Sequence, residues 1–305
     1  KFISLLVIIM NWALIFILAN EILATRCIQS VAFWQKYKNV LFPDKRNYSN
    51  EKDPIFYIHR SKKVKLVFRK KASAKKLLAE VDYLKLFQSV PCVVRFYTCL
   101  EESHSISIFM ERLRGDMLQE QARFQAFDWP KKLSILIELT KSFHIIHEMG
   151  YIHADIKSQN LMLTFDDQMV KIIDFDVTVP IGALLNSGTF FNLPPEIAFH
   201  GNVVAERYHD IWSWVITIFE MILPNFRVNM HTNAQIPEIV TFTEILIPFV
   251  HKELENAQTI YQLPFYDVMH DWIVIDVTRR PKMQKIFNGL NKLLNSAKSQ
   301  IFHYI

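Results

Sequence analysis

The chain has 305 residues, of which 50% are hydrophobic, 13% aromatic and 21% charged. This composition excludes a disordered chain, and the length predicts about two domains or one large two-lobed domain. The net charge of +5 is too small to indicate a nucleic-acid partner, and three cysteines cannot form a fully paired disulfide framework. A nucleic-acid binder and a disulfide-rich secreted module are therefore not expected.

The first predicted element is an uncharged run over residues 2–19. Its 18 residues span about 27 Å as a helix, close to the thickness of a bilayer core. A signal anchor, a long signal peptide and a buried helix of the fold are the three interpretations that stay open. We expect residues 1–24 to be a hydrophobic leader or membrane anchor, and the protein to be membrane-anchored or secreted, with membrane association through residues 2–19.

Residues 25–54 are predicted to be a linker region, because Pro, Asp and Asn are concentrated at its end, over residues 43–54. Nine lysines and arginines follow between residues 60 and 76. A solvated face of a strand and a helix is the favoured interpretation of this run, and a patch for an acidic lipid or an acidic partner is the alternative. Residues 62–69 alternate like a strand, and residues 74–87 have helical spacing.

The segment that indicates chemistry lies at residues 151–179. Two short apolar runs, Leu161–Leu163 and Val170–Ile173, flank a polar turn and predict a hairpin. Asp155 and Asn160 precede the first run and Asp174 follows the second, so the hairpin brings three oxygen-bearing side chains together. Such ligands suit Mg²⁺, which usually completes its coordination shell with phosphates.

This segment resembles part of a known protein family. His153–Asn160 resembles the H-R-D-x-K-x-x-N catalytic loop of protein kinases, and Asp174–Asp176 stands where that family has D-F-G. The spacing of five residues from Asp155 to Asn160 and of fourteen from Asn160 to Asp174 is similar to that of the family.

The resemblance implies a role for each of these side chains. Asp155 would accept or orient the proton of the substrate hydroxyl, and Lys157 would stabilise the charge of the transferred phosphoryl group. Asn160 and Asp174 would bind Mg²⁺, so that ATP and Mg²⁺ are the expected cofactors and a protein is the expected substrate. Lys157, together with Thr189, resembles the Ser/Thr-specific pattern of the family.

Other parts of the chain follow the same order. Gly188–Glu196 resembles the end of an activation segment, Asp210–Ser213 the start of the central helix of the large lobe, and Asp276–Pro281 the D-P-x-x-R-P element. The resemblance implies a buried ion pair between Glu196 and Arg280.

The nucleotide-binding residues are implied by the same resemblance. Residues 107–116 look like the fifth strand and the hinge, so Met110, Glu111 and Leu113 are expected to contact the adenine of ATP. Lys65 is expected to pair with Glu80 and to bind two phosphates of ATP, with Arg69 and Lys70 as alternatives to Lys65.

Four positions depart from the family pattern. Residues 28–114 contain no glycine, so a Gly-rich phosphate loop is missing, and Lys63 occupies a position that is normally small. Asp176 replaces the glycine of D-F-G. Ala154 replaces the arginine that binds an activating phosphate, so activation by phosphorylation is not expected.

We therefore expect an α+β, two-lobed protein-kinase-like fold, with a β-rich small lobe at residues 55–110 and a large, mainly helical lobe at 111–305. The expected function is ATP-dependent phosphoryl transfer to Ser/Thr of a protein. The alternative is a pseudokinase that acts as a binding or allosteric scaffold with weak or no catalysis. The leader, Ala154 and the Pro194–Glu196 ending also resemble, at a finer level, secreted parasite kinases of the rhoptry type.

Overall fold

A computed structural model of the chain describes residues 56–60, 63–102, 105–185, 192–200, 203–223, 226 and 239–302. The predicted leader and linker, as well as Gly188 and Thr189, lie outside the described residues and stay predictions. No helix among the described residues is long and apolar enough to cross a membrane.

The chain forms two compact units. In the described part, the first unit runs to Gln88 and continues over Val94–Leu113, and the second comprises Ser89–Val93 and the residues from Arg114 onward. The contacts divide the chain between Leu113 and Arg114. The predicted lobe bounds, residues 55–110 and 111–305, stay a prediction.

The first unit is an antiparallel sheet with one helix. Its elements are β1 (Phe56–Arg60), β2 (Lys63–Ser73), α1 (Ala74–Leu86), a 3₁₀ turn (Phe87–Ser89), β3 (Phe96–Glu102) and β4 (Ser105–Glu111). The strand order is β1-β2-β4-β3, with a register shift in β3 between Phe96 and Thr98. The helix buries Leu77, Val81 and Leu84, which lie on one face at helical spacing.

The second unit is mainly helical. Its helices are α2 (Gln121–Gln125), α3 (Trp129–Glu148), α4 (Pro195–His200), α5 (Arg207–Ile222), α6 (Ile239–Tyr261), α7 (Phe265–Met269) and α8 (Met283–Phe302). Its short strands are β5 (Gly115–Asp116), β6 (Tyr151–Ile152), β7 (Leu161–Leu163), β8 (Val170–Ile172), β9 (Val179–Pro180), β10 (Leu184–Leu185) and β11 (Val203–Val204). With the β-rich first unit, this confirms the predicted α+β fold class.

The core of the second unit is built around α5. Every residue from His209 to Ile222 is buried, and most of them are apolar. Trp212, Trp214 and Trp272 are buried. The indole nitrogen of Trp214 donates a hydrogen bond to Thr140 Oγ1 of α3 at 3.1 Å, so the polar end of this side chain is satisfied inside the core.

Two short ribbons fix residues 179–185. β9 pairs with β6, and β10 pairs with β11. Backbone hydrogen bonds from Ile181 N to Gly150 O at 2.9 Å and from Gly182 N to Ala205 O at 2.8 Å extend this pairing. Leu185 is buried in a cluster with Ile152, Ile197 and Ala205, so the segment is held by backbone groups and an apolar contact.

The predicted ion pair between Glu196 and Arg280 is confirmed. Arg280 Nη1 donates to Glu196 Oε1 at 2.8 Å, and Nη2 donates to Oε2 at 3.0 Å. The Arg280 side chain is 1% exposed, and it also donates to the backbone carbonyls of Tyr208, Val274 and Ile275. A bidentate pair with all its donors satisfied fastens α4 to the loop that precedes α8.

We expect Arg280→Ala to lower the free energy of unfolding by about 3–5 kcal/mol, because it leaves the Glu196 carboxylate without its partner. Urea denaturation of the full chain measures this loss. The control is Arg279→Ala, which removes the same charge from an exposed neighbouring position. An equal, small effect of both substitutions would contradict the stabilising role of the pair.

Candidate active site

The catalytic-loop backbone is held by a buried carboxylate on the first turn of α5. Asp210 Oδ2 accepts a hydrogen bond from His153 N at 2.8 Å, and Oδ1 accepts one from Ala154 N at 2.9 Å. His147 Nε2 lies 2.9 Å from Oδ2. Ala154 has a φ of +67°, a left-handed conformation that costs about 1–2 kcal/mol for a residue with a Cβ. Asp210 offsets this cost by binding the backbone amides of His153 and of Ala154 itself.

Asp210 is ionised in the folded protein. Burial alone would raise its pKa, but the hydrogen bond from His147 and the attraction of that imidazole outweigh burial, so the pKa of Asp210 lies below its ordinary value of 3.8. An ionised carboxylate accepts hydrogen bonds more strongly than a neutral one. The support of the loop therefore depends on a charge.

His153 connects the catalytic loop to the residues that follow β8. Its Nε2 donates to Ile173 O at 3.1 Å, and its Nδ1 accepts from Asp155 N at 3.3 Å, an arrangement that fits the neutral imidazole. The ring centroids of His153 and the fully buried Phe175 are 5.0 Å apart. Thr178 Oγ1 adds a hydrogen bond to His153 O at 3.3 Å.

Three of the predicted site residues are brought together around one carboxylate. Lys157 Nζ lies 2.6 Å from Asp155 Oδ2, and Asn160 Nδ2 donates to the same oxygen at 2.9 Å. Asn160 Nδ2 also donates to Asp155 O at 2.9 Å. The side chains of Asp155 and Lys157 are 13% and 19% exposed, so both reach solvent at one edge. A cation and an amide thus orient a carboxylate that remains accessible.

The predicted hairpin is confirmed, and it places Asn160 and Asp174 at the same end. β7 pairs with β8 with Leu161 opposite Ile172, and Ile173 N donates to Asn160 O at 3.0 Å. Because the Asn160 amide nitrogen is used by Asp155, its oxygen is the atom left for a ligand. An amide oxygen and a carboxylate are suitable ligands for Mg²⁺.

These two ligands do not complete a metal site by themselves. Within the residues that the structure describes, no group of three or more His, Cys, Asp or Glu side chains could hold a metal ion. A cation bound by Asn160 and Asp174 would therefore need further oxygens, such as those of phosphates or water. This donor set fits Mg²⁺ that arrives with a nucleotide.

Asp176 does not strain the backbone where the family has glycine. The described non-glycine residues with a left-handed φ are Ala154, Asp167, Asp174 and Gln262, and Asp176 is not one of them. Its side chain is exposed. The replacement of glycine by Asp176 therefore has no backbone cost in the observed conformation.

The remaining predicted site residues lie in the first unit. Met110 and Leu113 are buried, with 4% and 7% exposed, and Glu80 on α1 is fully buried. Glu111 Oε1 accepts a hydrogen bond from Arg95 N at 2.8 Å, while Glu111 N donates to Arg95 O at 2.9 Å. These contacts fix the end of β4, where the hinge is predicted.

The register of β2 bears on the choice of strand lysine. Lys65 is paired with Ile58 of β1, whereas Lys70 is paired with Ile108 of β4, two positions from the Phe68–Met110 pair. The role of Lys65 in binding ATP stays a prediction, with Arg69 and Lys70 as its alternatives.

Sequence reasoning did not assign the supporting role of Asp210. It identified Asp210–Ser213 as the start of a central helix, and the hydrogen bonds to the catalytic loop were not inferred. The signal was an acidic residue in the first turn of a helix rich in apolar residues, because an acidic side chain is rarely buried without a partner.

Comparison with known proteins supports the same interpretation. The family model described as "Protein kinase domain" matches residues 53–289, well over half of the chain. Aurora kinase B of Danio rerio is 27% identical over 197 residues, which cover 60% of this chain and 60% of that protein. The probable serine/threonine-protein kinase mkcB of Dictyostelium discoideum is 29% identical over 153 residues, which cover 48% of this chain and 20% of that protein.

A third relative extends the comparison to another kinase type. The cGMP-dependent protein kinase 2 of Rattus norvegicus is 27% identical over 140 residues, covering 44% of this chain and 18% of that protein. The chain spans 60% or less of the length of each of these relatives.

We expect Asp210→Asn to lower the free energy of unfolding at pH 7 by about 3–5 kcal/mol, because it removes the charge that holds the loop amides. A lowered folded-state pKa gives stability that is present above the unfolded pKa and is lost as pH falls through the folded pKa. The difference between wild type and variant should therefore be constant near neutral pH and shrink below pH 3.8.

Urea denaturation at a series of pH values measures this difference. Asp267→Asn, at an exposed position on α7, is the matched control and should show no such pH dependence. A difference between wild type and Asp210→Asn that stays constant into the acid range would contradict the ionised state of Asp210.

Proposed function

The chain belongs to the protein kinase family, and from this we propose that it transfers the γ-phosphoryl group of ATP to a serine or threonine hydroxyl of a protein. The observation that carries the proposal is the Asp155 carboxylate, which is oriented by Lys157 and Asn160 on a loop fixed by Asp210. A carboxylate with a positioned cation beside it suits proton acceptance next to a developing negative charge.

Each residue of this group has a distinct role in the proposed reaction. Asp155 accepts or orients the proton of the attacking hydroxyl, and its partial exposure allows a substrate side chain to reach it. Lys157 carries a positive charge at the same edge and stabilises the transferred phosphoryl group. His153 keeps the loop and the Asp174 segment in contact through Ile173 O.

Asn160 and Asp174 would hold Mg²⁺ in the proposed function. The bound ion would supply positive charge that balances the phosphate oxygens of ATP. In the first unit, Glu80 with a strand lysine would position ATP phosphates, and Met110, Glu111 and Leu113 would contact its adenine. These assignments follow the resemblance, and burial of Glu80, Met110 and Leu113 is compatible with them.

The Ser/Thr preference is supported by two observations. Lys157 stands two residues after Asp155, as in the Ser/Thr-type catalytic loop, and it contacts the Asp155 carboxylate. The relatives Aurora kinase B and mkcB are matched over the same domain, and the second is named a probable serine/threonine kinase.

A pseudokinase scaffold is the second candidate function. The absence of glycine from residues 28–114 favours it, because side chains hinder close approach of backbone amides to phosphates. The hydrogen-bonded group of Asp155, Lys157 and Asn160 favours the enzyme, since binding of a protein partner alone does not need it. Nucleotide binding and phosphoryl transfer distinguish the two functions.

We expect Asp155→Ala to lower the rate of phosphoryl transfer by about 10²- to 10⁴-fold, the usual contribution of a positioned acid or base. Melting of the protein should change little, because Lys157 reaches solvent at this edge. The assay uses purified full chain, labelled ATP and a generic protein substrate, with Asp267→Ala as the control at an exposed position. Transfer at the wild-type rate in Asp155→Ala would contradict the catalytic role.

We expect Asp174→Asn to abolish the Mg²⁺-dependent part of the thermal stabilisation by ATP, because a charged ligand is lost. The measurement is a thermal-shift titration with ATP, in the presence and absence of Mg²⁺. Asp176→Asn, two residues further on and exposed, is the matched control and should keep the effect. An unchanged shift in Asp174→Asn would exclude the proposed metal role, and no shift in wild type would favour the scaffold.

A further inference from the structure

An ion-pair network surrounds the turn of the β7–β8 hairpin, on the far side from Asn160 and Asp174. Arg123 Nη1 contacts Asp167 Oδ2 at 2.8 Å, and Arg114 Nε lies 3.5 Å from Asp167 Oδ1. We call Asp167, Arg114 and Arg123 the Asp167 clamp. Two arginines from separate segments thus converge on one carboxylate of the hairpin.

The backbone conformation of Asp167 is unfavourable in the absence of a compensating contact. Its φ is +59°, in the left-handed region that favours glycine and is tolerated by aspartate and asparagine. The turn itself is closed by other groups, because Thr164 Oγ1 accepts from Met169 N at 3.1 Å and donates to Asp166 Oδ1 at 2.6 Å. The Asp167 carboxylate is therefore not needed to close the turn, and its contacts are directed to other elements.

Both arginines are anchored in the second unit. Arg123 lies on α2, and α2 is tied to the C-terminal end of α5 by Gln121 Nε2 to Glu220 O at 3.3 Å and Gln125 Nε2 to Met221 O at 2.6 Å. Helix α5 thus supports the catalytic loop at its first turn and, through α2, the hairpin turn at its last turn.

Arg114 reaches the hairpin by a second route. Its backbone N donates to Leu163 O at 2.8 Å, its Nη2 donates to Phe165 O at 2.9 Å, and its guanidinium lies 5.5 Å from the centroid of the Phe165 ring. One residue therefore holds the strand, the turn and the Asp167 carboxylate together.

The position of the hairpin decides the position of the proposed metal ligands. Its strands have only three residues each, with Asn160 directly before β7 and Asp174 two residues after β8. The backbone hydrogen bonds of so short a hairpin do not by themselves prevent it from twisting. A metal site needs defined geometry, so small displacements of its ligands weaken metal binding.

We propose that Asp167 is a positioning residue, which acts through Arg114 and Arg123 to hold the hairpin so that Asn160 and Asp174 stay in place for Mg²⁺. This rests on the proposed function of Asn160 and Asp174. The clamp side chains are 21–43% exposed, so their removal costs little global stability and acts on the hairpin locally.

The test uses the full chain with Asp167→Asn, which keeps the size and the tolerance of a left-handed φ but removes the charge. The Mg²⁺ concentration for half-maximal ATP-dependent thermal stabilisation should rise about three- to tenfold. Arg123→Gln should have a similar effect, and the double variant should add little to either. Glu120→Gln is the control, because Glu120 also contacts Arg123, at 3.4 Å, but does not belong to the hairpin.

A second readout is independent of nucleotide and metal. Amide hydrogen exchange over Leu161–Ile172 should be about threefold or more faster in Asp167→Asn than in wild type or Glu120→Gln, with unchanged exchange in α5. If wild type shows no Mg²⁺-dependent shift, the proposed function fails. The rate of amide exchange in the hairpin then decides by itself whether Asp167 holds the hairpin in place. The positioning role of Asp167 would be overturned if the hairpin amides of Asp167→Asn exchanged at the same rate as in wild type. It would also be overturned if that variant needed no more Mg²⁺ than wild type.

Discussion

The buried carboxylate of Asp210 is the interaction on which the active-site region depends. It binds two consecutive backbone amides of the catalytic loop, at His153 and Ala154, in a place where water cannot substitute for it. Without these two bonds the left-handed turn at Ala154 would relax toward a common conformation. The orientation of Asp155, the next residue, would change with it. The buried charge of Asp210 therefore determines the direction of the Asp155 side chain.

The same helix provides support at both of its ends. At its start, α5 presents Asp210, and at its end its free carbonyls accept hydrogen bonds from Gln121 and Gln125 of α2. The last carbonyls of a helix have no partner within the helix, so a neighbouring helix with two amide side chains satisfies them. Because α5 is buried along almost its whole length, the loop and the hairpin are both held to a helix inside the core.

Much of this arrangement could be predicted from the sequence, wherever a pattern is local or belongs to a motif. The β7–β8 hairpin followed from two apolar runs around a polar turn, and the Glu196–Arg280 pair followed from two motifs 84 residues apart. Helical spacing predicted α1 and its buried residues, but Leu78 and Leu86 of that pattern are 48% and 42% exposed. A helix can bury only one face, and spacing alone does not determine the width of that face.

The rest could not be predicted, because it depends on backbone partners and on register. Asp210 binds backbone amides and not the side chains of those residues, so no complementary residue type elsewhere in the sequence indicates these partners. Lys65 and Lys70 lie in one strand, β2, and the sequence alone does not give the register in which that strand pairs with β1 and β4. The Asp167 clamp joins segments 44 residues apart without any repeating pattern.

The ribbons that hold Val179–Leu185 have a consequence for how this part of the chain responds to its surroundings. Their bonds join peptide groups, which every residue except proline carries in the same form. This stretch is held by main-chain groups and by an apolar cluster that includes the buried Leu185, with Ala154, Val179 and Ile181 packed against that cluster. A change of the exposed Leu184 side chain leaves the amide bonds in place. The order of these residues therefore depends on main-chain pairing and on apolar packing within the folded domain.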